Sequence, residues 1–422
     1  MKRSFFLITN LIFAMLALKS QIISLDYCQE KAAAHYPAVA RFDIIEKSKG
    51  FDLKNASTAY LPQFSIGAQA TWQSDVTKID LDFPGVNLNI DFPDKDQYKA
   101  VAEVSQLLWD GGKTAAFRKN IQAAAEVEKQ QLESEIYLLR ERINSLYFGI
   151  LLMDQQLALH ASLEHELERN YKKVESYMDN GIANQADLSA VKVEQLKAGQ
   201  QRIELEATRA AYLKMLSVLM GVQLGENVAL MKPDAGSVVA KTAIRRPELS
   251  MFDAQKHNIE SQKNLLTAKN LPVVALFAQG GYGKPALNMF KNNFEPYFVG
   301  GVKLSWNFGN LYTLSNEKRK ISLQQQNLEI QRESFLYNLN VVIPQQQLNI
   351  EKYRRTMQDD DEIISLRKMI REAAEAKVEN GTMTVSDLLK EMTAEDAAKQ
   401  AKALHEIQFL MSIYNLKYTT NN

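Results

Sequence analysis

Apolar residues recur through the middle of the chain at alternating spacings of four and three residues. The series is Leu132, Ile136, Leu139, Ile143, Leu146, Ile150, Met153 and Leu157. A second series recurs every seven residues in the distal half: Leu314, Ile321, Leu328, Phe335 and Val342. Such spacing predicts long helices whose apolar seam packs against other helices. A helix from about Lys113 to Asp179 would be roughly 100 Å long at 1.5 Å per residue.

Each long helix is predicted to end at an Asn-Gly pair, a sequence favoured at helix C-termini. The two pairs are Asn180-Gly181 and Asn380-Gly381. A return helix follows each pair, to about Met220 in the first case and from about Ser386 to Tyr414 in the second. Asp187 or a near neighbour can cap the first return helix. Pro344 falls inside the second long helix and is expected to kink or open it, which the first long helix would not show.

Four shorter stretches alternate apolar and polar residues with a period of two. In the first, Phe64, Ile66, Ala68, Ala70 and Trp72 share one face, and Gln63, Ser65, Gly67, Gln69 and Thr71 share the other. The remaining stretches begin near Tyr98, Val274 and Phe298. A half-buried antiparallel sheet shows this pattern. A transmembrane β-barrel strand shows it as well, because lipid covers one face and water the other.

The chain contains the same series of short motifs twice. Pro37, Phe42-Asp43 and Leu61-Pro62 recur 210 residues later as Pro247, Phe252-Asp253 and Leu271-Pro272. Trp109 and Gly111 have counterparts at Trp306 and Gly309, and Asn180-Gly181 with Asp187-Leu188 recur 200 residues later. The order of these motifs predicts a duplicated unit of helix, β-hairpin and long helix pair.

The predicted repeats divide the chain as follows. Repeat 1 covers residues 21–224, with a β-hairpin at about 61–110 and a helix pair at about 113–220. Repeat 2 covers residues 225–422, with a β-hairpin at about 271–308 and a helix pair at about 310–416.

The first twenty residues have the pattern of a secretory signal peptide. Lys2 and Arg3 precede an apolar run from Phe5 to Leu18, which is short for a membrane-spanning helix. A single N-terminal anchor is the alternative. Because the chain has one cysteine, it forms no internal disulfide. Its 50 basic and 50 acidic residues give no reason to expect nucleic acid as a partner.

The strand and helix predictions together favour a trimeric assembly. Four strands cannot close into a barrel, and an open sheet edge is not stable in lipid. Three chains would supply twelve strands, enough for a water-filled pore. The same threefold arrangement would set the long helices side by side. The predicted fold class is therefore an α+β membrane protein in which a trimer forms a 12-stranded barrel on a long α-helical barrel.

The chain resembles the TolC-like outer-membrane factor family over nearly all of its length after the signal. The resemblance is carried by Ser24-Leu25-Asp26, the two proline entries, the two Leu-Pro strand starts, the passage from Gln106 to Gly112 and the two Asn-Gly hairpins. It implies a homotrimer in the outer membrane with most of its mass in the periplasm. It also implies a periplasmic adaptor protein that docks onto the tips at Gly181 and Gly381, and an inner-membrane pump or ABC exporter.

The resemblance also implies a gate at the tips, from which this sequence departs. In the family, an Asp on the first tip pairs with an Arg and is helped by a Tyr on the second. Asp187 matches the Asp, but Met383 and Val378 stand at the other two positions. The inner acidic ring of the family would fall on Asp387, three residues before Lys390. Asp187, Asp387 and Lys390 are the resulting candidates for the gate or constriction.

Three functions are compatible with these patterns. The leading one is a passive exit duct for small toxic compounds in a tripartite efflux system. The second is an exit duct for type I protein secretion, and the third is a soluble periplasmic coiled-coil scaffold. No cofactor and no catalytic residue are expected. No metal site is expected either, because the five histidines lack metal-ligand spacing. His160 and His165, beside Glu164 and Glu166, resemble a charged helix face more than a site.

Overall fold

The computed structural model describes residues 22–77, 92–235 and 243–421, so the predicted signal peptide lies outside the described residues. In the first half, the elements are β1 (Ile22–Ile23), α1 (Leu25–His35), α2 (Arg41–Ser57), β2 (Gln63–Trp72), β3 (Asp96–Trp109), α3 (Lys113–Tyr137), α4 (Leu139–Asp179), α5 (Gln185–Met220) and β4 (Ala229–Leu230). In the second half they are α6 (Pro247–Ala268), β5 (Val273–Lys284), β6 (Glu295–Ser305), α7 (Leu311–Glu379) and α8 (Val385–Thr420).

Of the two long helical segments, one differs from the prediction. The first is interrupted at Leu138, where α3 ends and α4 begins, although the Leu138 N–H still lies 3.4 Å from the Ser134 carbonyl. The second, α7, is one continuous helix with Pro344 inside it. The proline therefore does not interrupt the helix, and a kink at this position stays a prediction. The loss of one backbone donor is small beside the hydrogen bonds and packing of a 69-residue helix.

Two compact units are present, and each draws on both halves of the chain. Of the described residues, the helical unit comprises 22–41, 131–235, 243–249 and 333–421. The sheet unit comprises 42–77, 92–130 and 250–332. Each half of the chain contributes a β-hairpin to the sheet unit and a pair of helices to the helical unit. The boundaries of the sequence repeats therefore do not coincide with the boundaries of the compact units.

The sheet unit contains a four-stranded antiparallel sheet of order β2-β3-β5-β6. The two hairpins meet where β3 pairs with β5, with Val104 opposite Ala278 and Glu103 opposite Gln279. Because residues opposite each other in an antiparallel pair share a face, this register places most of the alternating apolar residues of all four strands on one side. Phe277 and Val299 are exceptions and lie on the other side.

The helical unit has its largest apolar core around α1, α4, α5 and α8. Tyr147, Phe148, Ile150 and Leu216 are fully enclosed there. The Tyr147 hydroxyl lies 2.8 Å from the carbonyl oxygen of Ile23 and 2.6 Å from that of Met231. These carbonyls flank the short parallel ladder of β1 and β4. The Ile23 carbonyl also accepts from the Met231 N–H at 2.9 Å. Since a phenol has a single proton to donate, the tyrosine is best placed to supply a donor to the Met231 carbonyl.

Among the described residues, none of the helices combines the length and apolar character that crossing a membrane requires.

Tyr147→Phe is expected to destabilise the protein by about 1–2 kcal/mol, because it removes a buried hydroxyl and its hydrogen bond to the Met231 carbonyl. The midpoint of thermal unfolding of the purified protein measures this change. Tyr312→Phe is the matched control, since Tyr312 is 87 % exposed and its loss should change stability by no more than about 0.5 kcal/mol. Equal midpoints for the two variants would contradict the role given to the Tyr147 hydroxyl.

Candidate functional site

The two helix hairpins of the helical unit turn in the same way. The N–H of Ile182 donates to the carbonyl of Tyr177 at 2.8 Å, and the N–H of Gly181 donates to that of Met178 at 3.0 Å. In the second hairpin, Thr382 and Gly381 repeat this pattern on Lys377 and Val378 at 2.9 and 3.0 Å. This is the Schellman arrangement, which needs a left-handed residue after the helix. Gly181 and Gly381 supply it, at φ of 71° and 69°.

The return helices begin with matching caps, which locates the two candidate aspartates. The Asn184 side chain accepts from the Asp187 N–H, and the Asp187 carboxylate accepts in turn from the Asn184 N–H at 3.0 Å. Thr384 caps α8 in the same position, and its hydroxyl donates to the Asp387 carboxylate at 2.7 Å. Asn184 and Thr384 are thus the N-cap residues, while both aspartates lie one turn inside their helices.

Lys390 and Asp387 form an ion pair at 2.9 Å on the surface of α8. The hydrogen bonds from Lys390 and Thr384 lower the pKa of the Asp387 carboxyl, and Asp387 raises the pKa of Lys390. Both groups are solvent-exposed, so the pair adds little to stability. In the part of the chain that the structure describes, no hydrogen bond or ion pair joins Asp187 to Asp387 or Lys390.

Apolar packing surrounds the positions at which the sequence departs from the resemblance. Val378 is buried in a core shared by both hairpins, and Met383 packs against this core. Leu188, Val191 and Leu388 belong to the same cluster. A guanidinium or a phenol could form polar links between the hairpins here, whereas valine and methionine offer only apolar contact.

A charged cluster that the sequence patterns did not reveal lies between α4, α7 and α8. Glu395 is 3 % exposed and accepts from Arg371 Nε at 2.6 Å, and Lys399 lies 2.6 Å from its other oxygen. Arg371 also contacts Glu166 at 3.1 Å and Glu375 at 3.3 Å. The sequence shows only the pairs four residues apart, Arg371 with Glu375 and Glu395 with Lys399. Their joining across helices depends on packing.

Protonation of Glu395 would weaken this cluster. Burial raises the pKa of the Glu395 carboxyl, but the hydrogen bonds from Lys399 and Arg371 outweigh burial, so its pKa lies below the usual value. A carboxyl whose pKa is lowered on folding stabilises the fold above its unfolded pKa. That stabilisation is lost as the pH falls towards the folded pKa.

The two histidines that the sequence placed on one charged helix face are in different environments. His160 is 1 % exposed, with Nε2 lying 3.3 Å from the Gln400 amide nitrogen, so the surface interpretation was wrong for this residue. His165 is exposed. Among the described residues, no group of three or more His, Cys, Asp or Glu side chains is arranged to hold a metal ion.

The apolar face of the four-stranded sheet is exposed along its length. Its large exposed residues are Phe64, Ile66, Trp72, Tyr98, Tyr282, Phe298, Val302 and Leu304. On β6, Pro296, Phe298 and Gly300 are exposed while the intervening Glu295, Tyr297 and Val299 are half-buried. The apolar side is therefore the more open side of the sheet, the reverse of what a sheet covering a core would show.

The opposite face of the sheet is polar and carries a shallow cavity of about 310 Å³. Its lining includes Gln69, Lys99, Glu103 and Gln279. The Lys99 ammonium also lies over the ring of Tyr297, 5.2 Å from its centroid. Side chains of this kind are compatible with water on this face.

The comparisons with known proteins agree with this geometry. The family model described as outer membrane efflux protein matches residues 32–222. A search of curated proteins gives no significant match.

Three solved structures have the same fold. The CmeC outer membrane channel of Campylobacter jejuni is 15 % identical over 94 % of this chain and 85 % of its own, with a TM-score of 0.63. The VceC outer membrane protein of Vibrio cholerae is 13 % identical over 94 % and 96 %, with a TM-score of 0.60. The open state of the MtrE outer membrane channel of Neisseria gonorrhoeae is 12 % identical over 94 % and 89 %, with a TM-score of 0.61.

At these identities the structures establish a likeness of fold, and the family model adds the relationship in sequence. The chain therefore resembles the outer membrane efflux protein family over residues 32–222 and has the fold of the solved outer-membrane channels.

Proposed function

We propose that the chain is the outer-membrane exit duct of a tripartite efflux system and passively conducts small toxic compounds out of the cell. The observation that carries this proposal is the four-stranded sheet, which has one exposed apolar face and one polar face. In water, such a large apolar patch would be unfavourable. In a membrane, lipid covers the apolar face and the polar face lines a water-filled passage.

The match of residues 32–222 to the outer membrane efflux protein family supports a location in the outer membrane and a passive, non-enzymatic role. The functional unit in this proposal is a homotrimer. Its four-stranded sheets together form a 12-stranded barrel, and its helical units form the periplasmic duct. A passive duct needs an energy source elsewhere, which an inner-membrane pump would supply through a periplasmic adaptor.

The helix hairpins are the proposed docking site of the adaptor. Gly181 and Gly381 are exposed, and a Cβ added at either position would meet no atom within 4 Å. A partner could therefore approach the backbone closely at both tips. As a local account, the Schellman turns explain both glycines without an adaptor, so the experiment must separate a backbone requirement from a surface requirement.

The two sheet faces are expected to respond oppositely to charge. Ala68→Arg places a guanidinium on the apolar face and should destabilise the inserted protein by about 2–4 kcal/mol near the bilayer midplane. Gln69→Arg places the same group on the polar face and should be tolerated. The measurement is the amount of heat-resistant trimer in purified outer membranes. Equal insertion and trimerisation of both variants would show that the faces are assigned wrongly.

Bulk at the tips is expected to abolish efflux without preventing assembly. Gly181→Phe or Gly381→Phe should leave trimers in the outer membrane and reduce efflux of a fluorescent toxic dye to the level of cells lacking the chain. Gly181→Ala and Gly381→Ala are the matched controls. Any L-residue at this φ costs about 1–2 kcal/mol of backbone strain, so alanine introduces the same strain without the bulk of phenylalanine.

Dye efflux that survives both phenylalanine variants would leave the glycines with a purely structural role. Normal dye efflux in cells lacking the chain, together with loss of a secreted protein from the medium, would instead favour type I secretion.

The Lys390 charge is expected to limit cation selectivity at the tip. If Asp387 lines the constriction, Lys390→Ala removes the cation 2.9 Å from its carboxylate and should increase both cation selectivity and block by multivalent cations. Lys390→Arg keeps the charge and should behave as wild type. The measurement is the reversal potential in a salt gradient across a planar bilayer. An unchanged reversal potential in Lys390→Ala would place Asp387 away from the constriction.

A further inference from the structure

The sheet ends at two strand edges, those of β2 and β6. In the described residues, β2 is hydrogen-bonded only to β3 and β6 only to β5. An unpaired row of backbone N–H and C=O groups is not stable in hydrocarbon, because each unsatisfied group costs several kcal/mol. The occupant inferred here is a second copy of this chain, which rests on the proposed trimeric duct.

The two hairpins are equivalent residue by residue. Leu61-Pro62 and Leu271-Pro272 precede the first strand of each hairpin at the same distance, so Gln63 corresponds to Val273. Gln63 lies opposite Ser105 and Val273 lies opposite Ser305, so Ser105 corresponds to Ser305.

Along the second strand of each hairpin, equivalent positions are therefore 200 residues apart. The two Asn-Gly turns at the tips have the same separation. The sequence motifs indicated that Trp306 is the counterpart of Trp109. In the strand pairing, these two residues are not at equivalent positions. The difference lies next to a register shift between Leu107 and Trp109 in the pairing of β3 with β5.

The junction between the hairpins inside one chain is the template for the junction between chains. Within the chain, β3 pairs with β5 so that Ser105 lies opposite Phe277 and Val104 lies opposite Ala278. The equivalent strands at the outer edges are β6 and β2. We propose that β6 of one protomer pairs with β2 of a second copy, with Ser305 opposite Gly67 of the partner subunit and Leu304 opposite Ala68 of the partner subunit.

The faces of the sheet are consistent with this register. Leu304 and Ala68 both lie on apolar faces, while the next pair, Lys303 and Gln69, lies on polar faces. Both faces therefore continue across the junction. A slip of one residue would bring apolar positions to the polar side along the whole strand, which hydrocarbon would not tolerate.

Slips of two residues keep the faces and must be separated on other grounds. The proposed register places Trp72 beside Gly300 and Ala68 beside Leu304, so large and small side chains alternate across the junction. It also repeats the internal strand offset at the junction between chains. A closed barrel needs one consistent total stagger, and equal offsets at equivalent junctions give a regular ring.

Cysteine cross-linking tests the register directly. Ala68→Cys with Leu304→Cys and Gln69→Cys with Lys303→Cys test neighbouring pairs on opposite faces. The register-shifted controls are Ala68→Cys with Val302→Cys and Ala70→Cys with Leu304→Cys. Directly opposite Cβ atoms are about 4.5–5.5 Å apart and diagonal ones about 7–8 Å, whereas a disulfide needs about 3.8 Å.

The chain suits this experiment. β2 and β6 lie at opposite edges with two strands between them, so a disulfide between them links different chains. Cys28 is fully buried, and burial raises the pKa of its thiol to about 12, which keeps it unreactive. Each single-cysteine variant serves as a background control. Trimer formation is measured separately on unoxidised protein by light scattering in detergent.

Mild oxidation of outer membranes should convert the two in-register pairs to covalent dimers and trimers on non-reducing denaturing gels. The shifted pairs should remain largely monomeric. Faster cross-linking of a shifted pair, or no cross-linking in a protein that is trimeric, would overturn the register and leave the proposed duct intact. Monomeric protein in the unoxidised sample would contradict both the register and the proposed function.

Discussion

Backbone hydrogen bonding at the sheet edges is the constraint on which the rest of this structure depends. A strand that faces lipid cannot leave its N–H and C=O groups to water, so every edge must be paired. The pairing of β3 with β5 removes two of the four edges that separate hairpins would present. Duplication within one chain thus halves the number of edges that association between chains must satisfy. This gives a physical reason for two copies of the unit in a single chain.

The helical unit is subject to a different constraint. Because water surrounds it, its helices need only bury their apolar seams. Apolar contact does most of this around Tyr147 and around Val191. Between α4, α7 and α8, however, Arg371 and the nearly inaccessible Glu395 lie where a heptad seam would have apolar residues. Such a pair contributes little net stability compared with apolar residues of similar size. Removing one partner is expensive, because it leaves a buried charge.

The sequence predicted the parts of the fold that follow from local periodicity. Heptad spacing predicted the long helices, period-two alternation predicted the strands, and the fold class is confirmed by the likeness to solved outer-membrane channels. The interruption at Leu138 was not predicted, and the sequence left open whether Pro344 would only kink α7 or open it. Both depend on the balance between one backbone hydrogen bond and the packing of many residues, which a local pattern does not contain.

In the candidate site, too, the features that depend on local sequence could be predicted and those that depend on distant partners could not. Gly181 and Gly381 were recognisable because a left-handed turn restricts the residue types that can follow a helix. Burial of His160 and the ion pairs that Arg371 makes across helices were not recognisable, since their partners are distant in sequence. The strand registers in the structure make Ser105 and Ser305 equivalent. The motifs alone had indicated a different alignment of these two strands.

The two helix hairpins share one backbone turn geometry but differ in the side chains at their surfaces. The turn hydrogen bonds are the same in both hairpins, because reversal of a helix pair restricts the backbone at these positions. In both return helices the N-cap side chain accepts from the aspartate N–H three residues later. Three residues after the capping aspartate, one hairpin has Ala190 and the other has Lys390. Asp187 is therefore held by the backbone of its own turn, whereas Asp387 is also paired with the Lys390 ammonium. Since the turn geometry does not depend on either side chain, the charge at the tips can change without a change in fold.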